Sequence, residues 1–147
     1  PIGGKLFEDE FYNDDHRVKD FAYAMHAKSI APSIHWPEYI DLNNNNKIFI
    51  DLGGGIGTHA LAACKKFSCL KAYVLEKSEI IIHGKNYIKK EKLDKKIKFI
   101  ECDIFKNEII KEENNGVLDK NHKIDWNLYN NKIHKANLCS SRILIYL

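Results

Sequence analysis

The residues of this sequence best suited to chemistry are a glycine-rich turn and three acidic side chains. The turn, residues 53–57 (GGGIG), follows a nearly continuous apolar run at 47–52 and precedes an amphipathic segment. Asp51 stands just before the glycines, Glu76 ends a second apolar run and Asp103 ends a third. Because glycine has no Cβ, such a turn lets a ligand approach the backbone, and a helix that begins there directs N–H groups towards it.

The three acids favour a ligand that carries cationic and hydroxyl groups, and S-adenosylmethionine (SAM) carries both. Asp51 can bind the cationic amino-acid end of SAM, but it would repel a pyrophosphate. Glu76 has two oxygens that can accept from both ribose hydroxyls. Asp103 can accept from the adenine amine while Ile104 covers the ring. The residues therefore predict SAM as the cofactor.

A dinucleotide is a second interpretation of the same turn. Residues 55–60 (GIGTHA) fit the relaxed pattern G-x-G-x-x-A. Glu76 follows at about 20 residues, the distance expected for an acid that binds a ribose. An NAD-binding domain is therefore kept as an alternative to a SAM-binding domain.

Apolar runs and amphipathic segments alternate around these residues. Strands are predicted at 47–52, 71–76 and 97–102, with helices at 58–67 and 78–92 between them. This order predicts an α/β fold with a Rossmann-like, doubly wound sheet. The carboxyl ends of its parallel strands, and the acids on them, would meet at one edge.

Residues 1–46 are predicted to form a helical lead-in to this sheet. Apolar residues recur with helical spacing after Asp14, which is one of three adjacent N-cap candidates. Pro32 or Pro37 is expected to end that helix or to begin a new segment. His26, within the helix, is expected at the surface, and a position facing the acceptor is the alternative.

Residues 47–147 are predicted to form a partial SAM-binding domain. Residues 106–135 are polar and weakly periodic, which indicates an insert. Residues 137–147 are predicted to form a fourth strand, at which the sheet stops. The sheet of about four strands is therefore expected to be incomplete, and the sequence to be the cofactor-binding part of a larger enzyme.

Composition excludes several other classes of protein. The 23 basic and 20 acidic residues are interleaved, and arginine occurs only twice, so no nucleic-acid partner is predicted. No apolar run reaches the roughly 18 residues of a membrane helix. The cysteines, at 64, 69, 102 and 139, have neither disulfide-type nor zinc-type spacing. These features predict a cytoplasmic protein with reduced thiols and no metal site.

The glycine turn and its neighbours resemble one enzyme family. Residues 51–57 (DLGGGIG) resemble motif I of class I SAM-dependent methyltransferases. Residues 21–25 (FAYAM), 73–76 (YVLE) and 102–105 (CDIF) extend the resemblance to small-molecule O-methyltransferases, which include acetylserotonin and plant caffeate-type enzymes. The resemblance covers about residues 10–105 and resumes near the end of the sequence.

The residues and this resemblance together predict a cofactor site. Its members come from the lead-in, the glycine turn and the strand ends: Tyr12, Asp51, Gly53, Gly55, Gly57, Glu76, Asp103, Ile104 and Arg142. By resemblance, the glycines wrap the methionine and ribose, and Glu76 replaces an aspartate that binds the ribose hydroxyls. Asp103 and Ile104 would flank the adenine, and Tyr12 and Arg142 would line the site.

The resemblance also implies where the catalytic base should stand, and the sequence departs from it there. In the family, S-R-[IV]-L precedes a histidine that takes the proton of the acceptor hydroxyl. Here residues 141–144 (SRIL) precede Ile145. Isoleucine cannot accept a proton, so no catalytic residue is identified.

The predicted function is therefore SAM-dependent O-methylation of a small, aromatic hydroxyl acceptor, by a fragment that lacks the catalytic base. A non-catalytic SAM-binding module is the alternative from a different class. The family forms homodimers through a helical domain that has no counterpart in these 147 residues.

Overall fold

Helices and strands alternate through the middle of the chain, as the sequence pattern predicts. A computed structural model describes residues 9–39, 42, 48–102, 137–139 and 142–146, with only the backbone described at 9–10 and beyond 102. The helices are α1 (Asp9–Tyr12), α2 (Asp15–His35), α3 (Thr58–Lys66) and α4 (Ser78–Lys90), and a 3₁₀ helix spans Trp36–Tyr39. The strands are β1 (Ile48–Leu52), β2 (Lys71–Glu76), β3 (Ile97–Glu101), β4 (Asn137–Cys139) and β5 (Arg142–Tyr146).

The sheet has the order β3-β2-β1-β5-β4, and β1, β2 and β3 run parallel. The two crossovers between the parallel strands are the helices α3 and α4. Phe49 and Ile50 of β1 are fully buried, which explains the continuous apolar run of that strand. The α/β class and the Rossmann-like arrangement are therefore confirmed.

The prediction of a single fourth strand over 137–147 is wrong. This stretch contains two strands, β4 and β5, which pair antiparallel with Cys139 opposite Arg142. Only two residues separate the strands, enough for an antiparallel connection but far too few for a parallel crossover. β5 also pairs antiparallel with β1, so the described sheet is mixed.

The helix predicted after Asp14 is confirmed at its start and longer than expected at its end. The Asp14 side chain accepts hydrogen bonds from the backbone N–H groups of His16 and Arg17, at 3.0 and 3.2 Å. Pro32 does not end α2, because the Trp36 N–H bonds to the Pro32 carbonyl and completes the last turn. Pro37 lies in the 3₁₀ helix instead.

Two clusters of buried apolar side chains join these elements. The larger cluster packs α3 and Phe67 against β1 and β2, with Phe49, Ala72 and Val74 fully buried at its centre. The smaller cluster packs α1 and α2 against the glycine turn and the start of α4, through Ile56 and Ile80. The second cluster therefore brings α1 and α2 to the predicted site.

Among the described helices, none is long and apolar enough to span a membrane.

The insert predicted at 106–135 lies outside the described residues, and so does residue 46, where the lead-in was predicted to end.

Candidate cofactor site at the carboxyl edge of the parallel strands

The glycine turn connects the carboxyl end of β1 to the first residue of α3. Its backbone passes through left-handed conformations at Gly53, Gly55 and Gly57, with φ of 63°, 59° and 88°. These values suit glycine because a Cβ makes this region costly. Gly57 is the N-cap of α3 and has no side chain to cap the helix. Among the described residues, no side chain therefore caps the N-terminal end of α3, and the residues that begin this helix are buried.

All four glycine N–H groups of this turn already donate within the chain. Gly53 and Gly54 donate to the Leu75 carbonyl at 2.9 and 3.4 Å, and Gly57 donates to the Gly54 carbonyl at 3.0 Å. Gly55 donates to Glu76 Oε2 at 2.9 Å. A pyrophosphate at a glycine turn depends on such N–H groups, and here they have other acceptors.

Asp51 lies beneath this turn and is fully buried. A Cβ added to Gly54 would stand 2.6 Å from Asp51 Cγ and 2.7 Å from Val74 Cγ1. The carboxylate therefore occupies the space that a side chain at position 54 would need. The structure places Asp51 at the site, packed against its backbone.

Glu76 connects the end of β2 to the glycine turn. Its half-buried carboxylate accepts from Gly55 N–H through Oε2 and from Lys77 N–H through Oε1, at 2.9 and 3.0 Å. Two backbone donors thus set the orientation of the carboxylate at the carboxyl edge of the sheet. Each oxygen can accept more than one hydrogen bond, so ribose hydroxyls can bind beside these donors.

Tyr12 is brought to the same edge. It is 9% exposed and packs in one cluster with Ile56 of the turn and Ile80 of α4. The Lys77 ammonium lies 3.9 Å from the centre of the Tyr12 ring, a cation–π contact. The structure thus gathers Tyr12, Asp51, the three predicted glycines and Glu76 around one turn, although they span much of the sequence.

The remaining predicted residues are described in part or not at all. Asp103 and Ile104 lie outside the described residues. Arg142 is described by its backbone alone. It precedes Ile143, which pairs with Leu52, so β5 begins at the end of β1 where the glycine turn starts.

Sequence reasoning named His26 but missed its contact with the residue that follows the turn. His26 Nδ1 and Thr58 Oγ1 share a hydrogen bond of 2.9 Å, and Thr58 is the first residue of α3. The His26 ring also packs edge-on against Tyr87 of α4, 4.6 Å between centres. His26 is half-buried, so its expected surface position is wrong. Helical spacing from the buried Ala22 was the signal that could have placed it on the inner face of α2.

Gly84 of α4 is a second residue that the sequence did not identify. A Cβ at this position would stand 2.5 Å from the Phe99 ring and 3.2 Å from the Ile56 backbone. Glycine at 84 therefore lets α4 approach β3 and the glycine turn closely. Within the described part of the chain, no cluster of histidine, cysteine or acidic side chains could bind a metal ion.

A profile of the O-methyltransferase domain family matches residues 2–127 of the chain. This match includes the glycine turn, the three parallel strands and both crossover helices. The chain belongs to the O-methyltransferase domain family. The resemblance stated from the residues is thereby confirmed. A sequence search of curated proteins found no match.

Solved O-methyltransferases share the fold of this domain. The neocarzinostatin-biosynthesis O-methyltransferase NcsB1, solved with S-adenosylhomocysteine (SAH) and 1,4-dihydroxy-2-naphthoic acid, has a TM-score of 0.62 at 16% identity, over 71% of this chain and 31% of its own. The mitomycin 7-O-methyltransferase MmcR has a TM-score of 0.61 at 19% identity, over 71% and 30%. Human N-acetylserotonin methyltransferase, solved with SAM, has a TM-score of 0.53 at 22% identity, over 71% and 30%. The O-methyltransferase domain described here thus spans about a third of the length of these solved relatives.

Proposed function

We propose that this O-methyltransferase domain binds SAM at the carboxyl edge of its parallel strands and supplies the methyl-donor half of an O-methylation site. The acceptor is the hydroxyl of a small aromatic molecule. The acceptor class is supported by the dihydroxynaphthoic acid bound to NcsB1.

The Glu76 carboxylate, bonded to the glycine turn, is the observation that carries the proposal. By accepting from Gly55 N–H at 2.9 Å, it takes a donor that a pyrophosphate would need, and it adds a negative charge there. The buried Asp51 carboxylate adds a second negative charge below the turn. A carboxylate at Glu76 suits the ribose that both cofactors carry, whereas the occupied Gly55 N–H and the buried Asp51 charge favour a cationic cofactor over a pyrophosphate.

The residues fit SAM as a set of donors and acceptors. Glu76 can accept from the ribose hydroxyls, and the N-terminal end of α3 can donate to a carboxylate of the amino-acid moiety. The sulfonium of bound SAM supplies a reactive methyl group. The contribution of this chain would then be to bind and orient the donor at the edge where Tyr12 and Glu76 lie.

Two neighbouring glutamates allow a matched test of this site. Glu76 and Glu79 are both half-buried near the start of α4, but Glu79 accepts from Ser78 Oγ rather than from the turn. We expect E76A to weaken SAH binding by about tenfold to a hundredfold, the cost of losing hydrogen bonds to a charged group. E79A should change the affinity by less than about twofold.

Calorimetric titration of SAH into each variant measures these affinities, and circular dichroism shows that each variant folds. The E76Q variant keeps one acceptor oxygen for the turn, so its affinity for SAH should lie between those of E76A and the unchanged chain. Equal affinity of E76A and the unchanged chain for SAH would contradict the proposed site.

The non-catalytic module is the second candidate, and Ile145 is the observation that favours it. Ile145 stands in β5 opposite Ile50 of β1, at the position where the resembled family has its basic histidine. We expect the chain to bind SAM without methylating 1,4-dihydroxy-2-naphthoic acid. Mass spectrometry of the mixture checks this expectation, and a methylated product would contradict it.

A further inference from the structure

A cavity of about 530 Å³ lies between α2 and α4, lined by none of the residues of the cofactor site. Lys19 and Tyr23 line it from α2, and the rest of its lining comes from α4: His83, Asn86, Lys89 and Lys90. The volume lies within the range of roughly 300–1,000 Å³ that small-molecule sites occupy. Five of its six lining residues are exposed, so this cavity is an open depression on the surface, wide enough for a compact ligand.

The side chains of this cavity are cationic or neutral. Three ammonium groups and one imidazole line it, and no carboxylate is among the lining residues of the described chain. Within residues 11–39 and 48–102, Lys19, Lys89 and Lys90 form no ion pair. Lys65 differs, since it pairs with Glu91 at 2.6 Å. The cavity therefore concentrates positive charge without an internal counter-ion.

The helix dipoles explain the positions of only some of the cavity lysines. Lys89 and Lys90 lie in the last turn of α4, where the helix dipole favours a cation. Lys19 lies in the first half of α2, a different helix, where the dipole gives no such preference. All three lysines are exposed, so water screens their mutual repulsion, and an anion that contacts all three would reduce it further.

We propose that this cavity binds a compact polyanion that carries phosphate groups. The three ammonium groups can each pair with a phosphate oxygen, and the Asn86 amide adds a neutral donor. The rings of Tyr23 and His83, 6.4 Å apart and inclined at 62°, form one wall. The cations surround one cavity instead of following an extended groove, which favours a small molecule over a nucleic-acid strand.

Titration of inorganic triphosphate into the chain tests this site. The cavity variant is K19Q/K89Q/K90Q, and the matched control is K28Q/K71Q/K95Q, in which three exposed lysines outside the cavity lose the same charge. We expect saturable binding by the unchanged chain and a loss of at least about tenfold in the cavity variant. The control variant should lose less than about threefold in affinity for triphosphate, because of the general change in net charge.

Three outcomes would overturn the proposal. The unchanged chain could fail to bind triphosphate saturably, or both triple variants could lose affinity equally, which would indicate surface charge alone. A single-stranded oligonucleotide could also bind more tightly than triphosphate with the same dependence on the cavity lysines, which would indicate a nucleic-acid surface. Because none of the mutated lysines belongs to the cofactor site, SAH binding should be unchanged in both variants.

Discussion

At the scale of single residues, the cofactor site depends on Gly54 for a different reason from its glycine neighbours. Gly53, Gly55 and Gly57 adopt positive φ, so a side chain there strains the backbone. At Gly54 the obstacle is space, because Asp51 and Val74 occupy the position of a Cβ at 2.6 and 2.7 Å. Atoms around Gly57 leave 3.4 Å or more for a Cβ.

We therefore predict that G54A destabilises the chain more than G57A does. G54A must displace a fully buried carboxylate and should lower the free energy of unfolding by about 3 kcal/mol. G57A adds only backbone strain and should cost about 1 kcal/mol. Urea unfolding followed by circular dichroism measures both values. A larger loss in G57A than in G54A would contradict the packing of Asp51 beneath the turn.

Two cysteines should differ in their reactivity and in their effect on alkaline stability. Burial raises the pKa of the Cys64 thiol to about 12, with Lys96 opposing the shift, and Cys64 donates to the Leu70 carbonyl at 3.7 Å. Cys69 is exposed. In mildly alkaline buffer, alkylation followed by mass spectrometry should therefore modify Cys69 quickly and Cys64 only after unfolding.

The raised pKa of Cys64 also fixes the sign of a pH effect. Between pH 9.0 and about 12 the unfolded chain releases the thiol proton while the folded chain retains it. The free energy of unfolding therefore falls as pH rises through this range. The C64S variant should lose less stability than the unchanged chain over that range. Equal alkylation rates for Cys64 and Cys69, or equal alkaline losses, would show that Cys64 is not buried.

At the scale of secondary-structure elements, α2 fixes the start of α3 through one hydrogen bond. His26 of α2 bonds to Thr58 at 2.9 Å, and Thr58 follows the last glycine of the turn. Thr58 is only 3% exposed, so loss of its partner leaves a polar group in the interior. The contact joins the helix before the sheet to the turn that forms the site.

We predict that T58V, which removes the hydroxyl and keeps the shape, lowers the free energy of unfolding by about 1–2 kcal/mol. It should also weaken SAH binding, because the glycine turn ends at residue 58. T58S keeps the hydroxyl and should retain most of the stability and the affinity. Thermal melting and calorimetry check both variants. If T58S loses as much as T58V, the methyl group of Thr58 matters and its hydrogen bond does not.

Local sequence patterns predicted most helices and parallel strands. The predictions that were wrong or missing depend on contacts between residues distant in sequence. The apolar run at 47–52 and the N-cap Asp14 depend on neighbours in sequence, so both were predicted. Pro32 within α2 and the Gly84 contact with Phe99 depend on how elements pack, which periodicity does not show. The same reason explains why the antiparallel pairing of β5 with β1 was not predicted.

The residues of the candidate site divide in the same way, into those that a local pattern predicts and those whose contacts only the structure shows. Its members on the turn and at the end of β2 were predictable because glycine runs and terminal acids have a local signature. The bond from Gly55 N–H to Glu76, 21 residues apart, needed the structure. That bond supplies the argument against a dinucleotide, which the sequence had left open.

At the scale of the whole molecule, the chain has the fold of an O-methyltransferase domain, and its proposed role is to bind the methyl donor. It spans about a third of its solved relatives, and the profile match covers residues 2–127. Three parallel strands, two crossover helices and α2 converge on one edge of the sheet. The central claim is that this edge binds SAM and not a dinucleotide.

Calorimetric titration of the chain with SAH and, separately, with NAD tests this claim most directly. We predict saturable binding of one SAH per chain and at least about tenfold weaker binding of NAD, since one unfavourable charge contact costs roughly that factor. SAH should bind the unchanged chain more tightly than E76A. Tighter binding of NAD than of SAH, or no binding of SAH by the folded chain, would contradict the account.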